Sequence, residues 1–229
     1  MPRPDRSELV EQLQAIPIIA NLGWDTLKAL AETAHWREYT PGAVVFLEEE
    51  PAQGLYYLHH GWLKIVKFSA DGREQILQFL GPGEIFNYLG VFAATANPAT
   101  AITLEAAGVW LLPRSDVRRV LTASPDALLL VVEGMAQRIA TLVQMVADLS
   151  LHSVEARLAR RLLENAEGAV VYRRRWSTQA EMAAHLGTVP DVLNRALRSL
   201  AEAGLIQVER QQITILDREG LAGKALLAG

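Results

Sequence analysis

Residues 178–204 read TQAEMAAHLGTVPDVLNRALRSLAEAG, and this stretch decides the architecture. Thr178, with Glu181 three residues on, forms a capping box that predicts a helix running to Leu186. Gly187 stops it. Thr188-Val189-Pro190 restarts a helix with Pro190 at the first helical position, where its missing N–H costs nothing. That second helix runs to Ala203, before Gly204. Two helices joined by a short Gly-containing turn form a helix-turn-helix. Beyond it, Leu205–Glu209 and Gln212–Leu216 alternate in polarity around a tip at Arg210-Gln211, which predicts a β-hairpin wing.

On the second helix Asp191, Asn194, Arg195 and Arg198 fall at i, i+3, i+4 and i+7, along one face near the N-terminal half. A recognition helix meets base edges there. Arg can bond guanine O6 and N7 together, Asn can pair with adenine, and Asp can accept from cytosine N4. Val192, Leu193, Ala196, Leu197 and Leu200 make the opposite, core-facing stripe. Thr188 in the turn and Asp191, Asn194, Arg195 and Arg198 on the helix are the candidate DNA-binding residues of this arrangement.

Upstream, Ser153–Asn165 reads as a helix that Glu167-Gly168 ends, and Tyr172–Trp176 as a short basic strand or loop. Before these, Pro125 opens a long helix. Leu128, Val132, Met135, Ile139, Leu142, Val146 and Leu149 are spaced alternately by four and three, three heptads of an apolar seam. A seam this narrow predicts a two-stranded coiled coil and a homodimer.

The front half has another texture. Residues 7–36 carry apolar residues at helical spacing, Leu9, Leu13 and Ile16, then Leu27, Leu30 and Ala34. From Thr40, short runs rich in β-branched and aromatic residues follow: Ala43–Leu47, Leu55–Leu58, Trp62–Phe68, Gln75–Leu80, Ile102–Ala106 and Val109–Leu112. Gly-bearing turns separate them, Asp71-Gly72 giving a hairpin signal. Regular short strands predict an all-β sandwich or barrel. The uncharged stretch Ile85–Leu104 has bilayer-spanning length, but Asn87, Gly90 and Asn97-Pro98 make it a buried strand–loop–strand. No secretory h-region precedes Arg6. A cytoplasmic protein without a membrane partner is expected.

Composition fits two modules. The 229 residues carry a net charge of −4, with 11 basic and 17 acidic residues in 1–150 against 11 and 9 in 151–229. Only the rear module suits a polyanion. Zero cysteine excludes disulfides, thiolate nucleophiles, Cys-ligated zinc and iron–sulfur clusters. Phosphate-loop, dinucleotide, metalloprotease and serine-hydrolase motifs are absent. His35, His59, His60, His152 and His185 stand at no metal-ligand spacing. His59 and His60 are adjacent in a strand and are expected on opposite faces. No catalytic residue and no metal site is assigned, and the chain does not read as an enzyme.

A β module, a long helix and a winged helix-turn-helix, in that order, resemble the Crp/Fnr family of bacterial transcription regulators from about Leu13 to Asp217. The stretches Leu55–Gly61, Gly83–Gly90 and Leu186–Arg195 carry the resemblance. It implies an α+β fold: an N-terminal cyclic-nucleotide-binding-like β-roll (a jelly roll) over 1–124, a dimerisation helix over 125–150, and a winged helix-turn-helix over 151–229. Asp191, Asn194 and Arg195 match the family's base-reading positions, and Thr178 and Gln179 match positions given to phosphate contact. Pro190 stands where cAMP-binding relatives often carry a second base-contacting Arg, so the half-site should differ.

The resemblance also locates an effector pocket at Gly83, Glu84, Tyr88, Leu89, Ala99 and Thr100. Tyr88 replaces the Glu that holds the ribose in cAMP binders, and Ala99 replaces the Arg that neutralises the phosphate. A buried phosphate without a cation costs several kcal/mol, so cAMP is not the expected signal. Relatives that sense carbon monoxide or nitric oxide ligate haem through His and sometimes an N-terminal Pro, which nominates Pro2, His35, His59, His60 and His185 without choosing among them. The expectation is a homodimeric DNA-binding regulator on a palindromic operator, working with RNA polymerase. A haem-based gas sensor of the same family and a signalling adaptor with a vestigial DNA module are the alternatives.

Overall fold

Every residue from Ala107 to Leu112 is buried because that strand serves two cores at once. Ala107, Val109 and Leu111 face one apolar cluster, while Trp110 and Leu112 face another. The same alternation splits Tyr56 and Leu58 from Leu55 and Tyr57. Side chains alternate across a strand, so a strand covered on both faces reads as a continuous apolar run.

The computed structural model describes residues 4–16, 19, 22–92 and 96–226. Two antiparallel sheets form a β-roll. Their strands are β1 (His35–Tyr39), β2 (Val44–Phe46), β3 (Gly54–His60), β4 (Leu63–Phe68), β5 (Glu74–Leu80), β6 (Ile85–Phe86), β7 (Thr100–Thr103) and β8 (Ala107–Pro113). One sheet has the order β1-β8-β3-β6 and the other β2-β7-β4-β5. Phe46, Tyr56 and Phe86 stack between the sheets with centroids 5.2 to 6.1 Å apart.

The second cluster lies between the β1-β8-β3-β6 sheet and the helices. It receives α1 (Arg6–Gln14), α2 (Trp24–Glu32), α4 (Arg114–Thr122) and the first half of α5 (Pro125–Leu151) through Leu9, Leu13, Leu27, Val117, Ala127 and Val131. A short helix α3 (Tyr88–Phe92) adds Val91. The helical pattern expected over 7–36 ends at Glu32; His35–Tyr39 is instead the edge strand β1, paired with β8. The uncharged stretch from Ile85 resolves into β6, α3 and β7, with 93–95 outside the described residues.

The rear of the chain forms α6 (Val154–Asn165), β9 (Val170–Tyr172), α7 (Gln179–His185), α8 (Pro190–Glu202), β10 (Ile206–Val208), β11 (Gln212–Ile215) and α9 (Arg218–Leu226). Its own core joins Leu158, Leu162, Leu186, Leu193, Leu197, Leu200, Ile206, Ile213 and Leu221. The chain divides into two compact units, Met1–Lys67 with Leu77–Ile139 and Phe68–Ile76 with Ala140–Gly229. The division falls inside α5 and assigns the β4–β5 hairpin tip to the second unit.

His59 and His60 do not part to opposite faces. The β3–β8 register shifts between Leu58 and His60, and this bulge turns the second ring back. Both rings lie against Trp36, at 5.6 and 5.9 Å between centroids, and 5.6 Å from each other. Gly108 makes room: a Cβ there would lie 2.2 Å from the Trp36 ring and 2.3 Å from His60.

Candidate nucleic-acid interface and sensory pocket

The helix-turn-helix forms as the sequence dictates. Thr178 Oγ1 accepts from Glu181 N at 3.1 Å, capping α7 and leaving its own O–H free to donate. At the other end Thr188 N donates to Ala183 O at 2.9 Å and Gly187 N to Ala184 O at 3.3 Å, a Schellman stop. Gly187 takes φ 64°, a conformation glycine adopts without penalty. Pro190 stands in the first turn of α8.

Leu193, Ala196, Leu197 and Leu200 of α8 are buried, Val192 is half-buried, and Asp191, Arg195 and Arg198 are exposed. Asn194 sits at the edge of the exposed face, half-buried, and its Nδ2 donates to Gln179 Oε1 at 3.2 Å. Thr178 and Gln179 are exposed at the start of α7, and Thr188 is half-buried in the turn. All seven candidate DNA-binding residues therefore lie on α7, the turn or α8.

The wing has a third strand. β9 pairs with β11 in the order β10-β11-β9, with Val171 opposite Ile213. The basic triplet Arg173–Arg175 leaves β9 beside the wing tip, where Arg173 N donates to Gln211 O at 2.8 Å. Arg174, Arg175 and Arg210 are exposed. The triplet is legible as a charge run; what places it beside the wing is the pairing of Val170–Tyr172 with β11.

The pocket positions differ in their exposure. Gly83, Glu84 and Leu89 are exposed, while Ala99 and Thr100 are buried. Tyr88 packs against the helical cluster rather than the β-roll interior, and burial raises its hydroxyl pKa, with Glu84 adding to the shift. Thr100 Oγ1 accepts from Glu48 N at 3.0 Å. Asn87 Nδ2 donates to Asn97 Oδ1 at 3.0 Å, and Asn97 Nδ2 to Leu47 O at 3.0 Å. These side chains stitch the loop after β2 to the start of β7.

Of the histidines nominated for haem, His59 and His60 lie together, both against Trp36. His35 is exposed on β1, and His185 is half-buried in the second unit. His59 Nδ1 donates to Gln12 Oε1 at 3.1 Å, and its Nε2 lies 3.8 Å from Glu8. Pro2 lies outside the described residues. Among the described residues no group of three or more His, Asp or Glu that could hold a metal ion is found.

Along α5, Met135 packs against the helical cluster and Leu128 and Leu142 are half-buried. Leu129, Val132, Ile139, Val143 and Val146 are each more than half exposed, and Ala136 is exposed in the gap between them. The exposed stripe thus keeps Val132, Ile139 and Val146 from the expected seam and moves one residue on at the alternate positions. Leu149 is 39% exposed.

The chain matches a family model for the cyclic nucleotide-binding domain over residues 36–124 and one for the Crp-like helix-turn-helix domain over 156–223. It is 29% identical over 205 residues to a CRP-like cAMP-activated global transcriptional regulator of Mycobacterium tuberculosis, covering 87% of this chain and 92% of that one. It is also 29% identical over 206 residues to the HTH-type transcriptional regulator Cmr of the same species, covering 90% and 82%. Its fold superposes on FixK2 from Bradyrhizobium japonicum with a TM-score of 0.74 at 22% identity, over 86% of this chain and 99% of that one.

Proposed function

The chain belongs to the Crp/Fnr family and is a Crp-like DNA-binding transcription regulator, and from that premise we propose that it acts as a homodimer on a two-fold symmetric operator. The observation that carries the reading is the division of α8: a buried apolar stripe holds it to its domain, and Asp191, Arg195 and Arg198 face out. Arg195 reads a guanine in each half-site, with Asp191 orienting it or accepting from a cytosine. Thr178, Arg174, Arg175 and Arg210 meet phosphates and fix the module on the duplex.

The stripe Leu129–Val146 on α5 supports the dimer. By length and apolarity alone α5 could cross a membrane. Its exposed apolar residues, however, keep a three-four spacing on one face, which a second copy of the helix covers and a bilayer does not require. The protein works in the cytoplasm with RNA polymerase. Its signal acts through the β-roll and is not cAMP, because Tyr88 and Ala99 stand at the two anchor positions.

Binding-site selection with the wild type and Arg195→Ala tests the reading. The wild type should select a palindrome with half-sites about 34 Å apart. The variant should lose about 1–3 kcal/mol per half-site and its preference at one base pair. The same palindrome selected at the same strength by both would show that α8 does not read bases.

A further inference from the structure

Gln179 matches a position given to phosphate contact, a role that would weaken all sequences alike when lost. Its side chain, however, reaches across to the reading helix. Gln179 Oε1 accepts a hydrogen bond from Asn194 Nδ2 at 3.2 Å, although the residues are 15 apart in sequence. We propose that Gln179 is a specificity-determining positioning residue, which locks the Asn194 amide in the orientation that reads an adenine. The proposal rests on the reading of α8 as the base-contacting helix.

Donors and acceptors decide which way the Asn194 amide points. A side-chain amide at the edge of an exposed helix face can turn over, exchanging its oxygen and its NH2. Bonding adenine through both N6 and N7 needs a defined order: Oδ1 accepts from N6–H, and an Nδ2 hydrogen donates to N7. One Nδ2 hydrogen of Asn194 is spent on Gln179 Oε1; the two amides could turn over together, but a phosphate oxygen beside α7 accepts only from Gln179 Nε2 and so keeps Oε1 toward Asn194. The second Nδ2 hydrogen and Oδ1 remain for the base. Gln179 keeps its own NH2, which can donate to a phosphate oxygen at the start of α7. Backbone contact and base contact then run through one pair of side chains, so correct seating on the phosphates sets the amide that reads the base.

Both residues can be exchanged without opening a core, since Gln179 is exposed and Asn194 only half-buried. The experiment measures affinity of the full-length protein for its selected operator and for operators changed one base pair at a time. Asn194→Ala first identifies the pair that Asn194 reads. Gln179→Ala should then lose roughly tenfold of the preference at that same pair and keep the preference at the pair read by Arg195. Gln179→Glu retains an oxygen that accepts from Asn194 but repels phosphate. It should bind every operator more weakly and keep the preference at Asn194's pair.

A uniform loss in Gln179→Ala, with every base preference intact, would make Gln179 a phosphate contact only and overturn the proposal. So would an Asn194→Ala variant with unchanged preferences, even if Arg195 proved to read its guanine. A wild-type protein with no sequence preference at all would instead remove the reading of α8 itself, and the proposal with it.

Discussion

Leu149 of the long helix lies against Gly187 of the helix-turn-helix turn: a Cβ on Gly187 would fall 2.3 Å from Leu149 Cδ2. Heptad spacing gives Leu149 to a dimer seam, but the structure sets its side chain beside the turn that links α7 to α8. Gln75 of the β4–β5 hairpin meets the same place, its Nε2 donating to His185 O at 3.4 Å. The orientation of the reading helix is therefore tied to the end of α5 within this unit.

Gly187→Ala should destabilise this unit by about 1–2 kcal/mol, because a Cβ is strained at φ 64°. Leu149 must move as well. Asn accepts that backbone better than Ala, so Gly187→Asn should cost less in backbone strain. Adding Leu149→Ala to Gly187→Ala should recover the contact part of the loss and none of the strain. Chemical denaturation of the three variants measures this, and a neutral Gly187→Ala would contradict the strained turn.

The exposed stripe on α5 makes assembly testable residue by residue. Ile139→Lys with Val143→Lys places two charges in the proposed seam, where burial without partners is costly. Sedimentation should show monomer, and operator binding should fall with it. The exposed polar position Gln144, mutated to Lys, should leave the mass of the dimer unchanged. If the Ile139/Val143 variant keeps that mass, the stripe is not the dimer contact.

His185 predicts an acid-sensitive DNA-binding unit. Burial, with the nearby Arg161 charge as a second cause, pushes its imidazole pKa down to about 3. The ordinary value is about 6.5, so the unfolded chain binds a proton that the folded one refuses between those limits. Stability should therefore be full above about pH 6.5 and fall progressively as the pH drops towards 3. His185→Gln, which cannot take up the proton, should flatten that slope. Denaturant unfolding at several pH values decides it, and equal slopes in wild type and variant would remove His185 as the cause.

How much of this was legible depended on whether a pattern was local. The capping box at Thr178, the stop at Gly187 and the restart at Pro190 are local, and all three appear where the residues place them. Strand positions such as Leu63–Phe68 followed from their apolar runs. Strand β1 was hidden because its pairing partner, β8, lies about 70 residues away and no turn joins them. Sequence alone sets a basic strand or loop at Tyr172–Trp176, whereas strand β9 is Val170–Tyr172, because its place in the wing depends on Ile213 and Gln212. The His59-His60 pair depended on a bulge, which shifts alternation without a mark in composition. On α5, spacing alone could not tell a side chain packed into its own unit, such as Met135, from one left for a partner, such as Val143.

The last test concerns the signal. A cyclic nucleotide carries one negative phosphate, and removing it from water without a nearby cation costs several kcal/mol. Position 99 offers a buried methyl group. Position 88 offers a phenol packed against the helical cluster, and the Thr100 hydroxyl, which accepts from Glu48 N, can add only a neutral donor and no charge. Asn87 and Asn97 close on each other and on Leu47 instead of facing a ligand. Calorimetry with cAMP at millimolar concentration should show no saturable heat, and cAMP should not change operator affinity. Asn97→Ala should meanwhile cost roughly 1–2 kcal/mol, because the buried Asn97 side chain is lost with its bonds to Asn87 and Leu47 O, while the Asn87 amide still donates to Gly54 O. Micromolar cAMP binding by the wild type would show that a cation elsewhere in the β-roll supplies the charge that Ala99 lacks, and the signal would have to be reassigned.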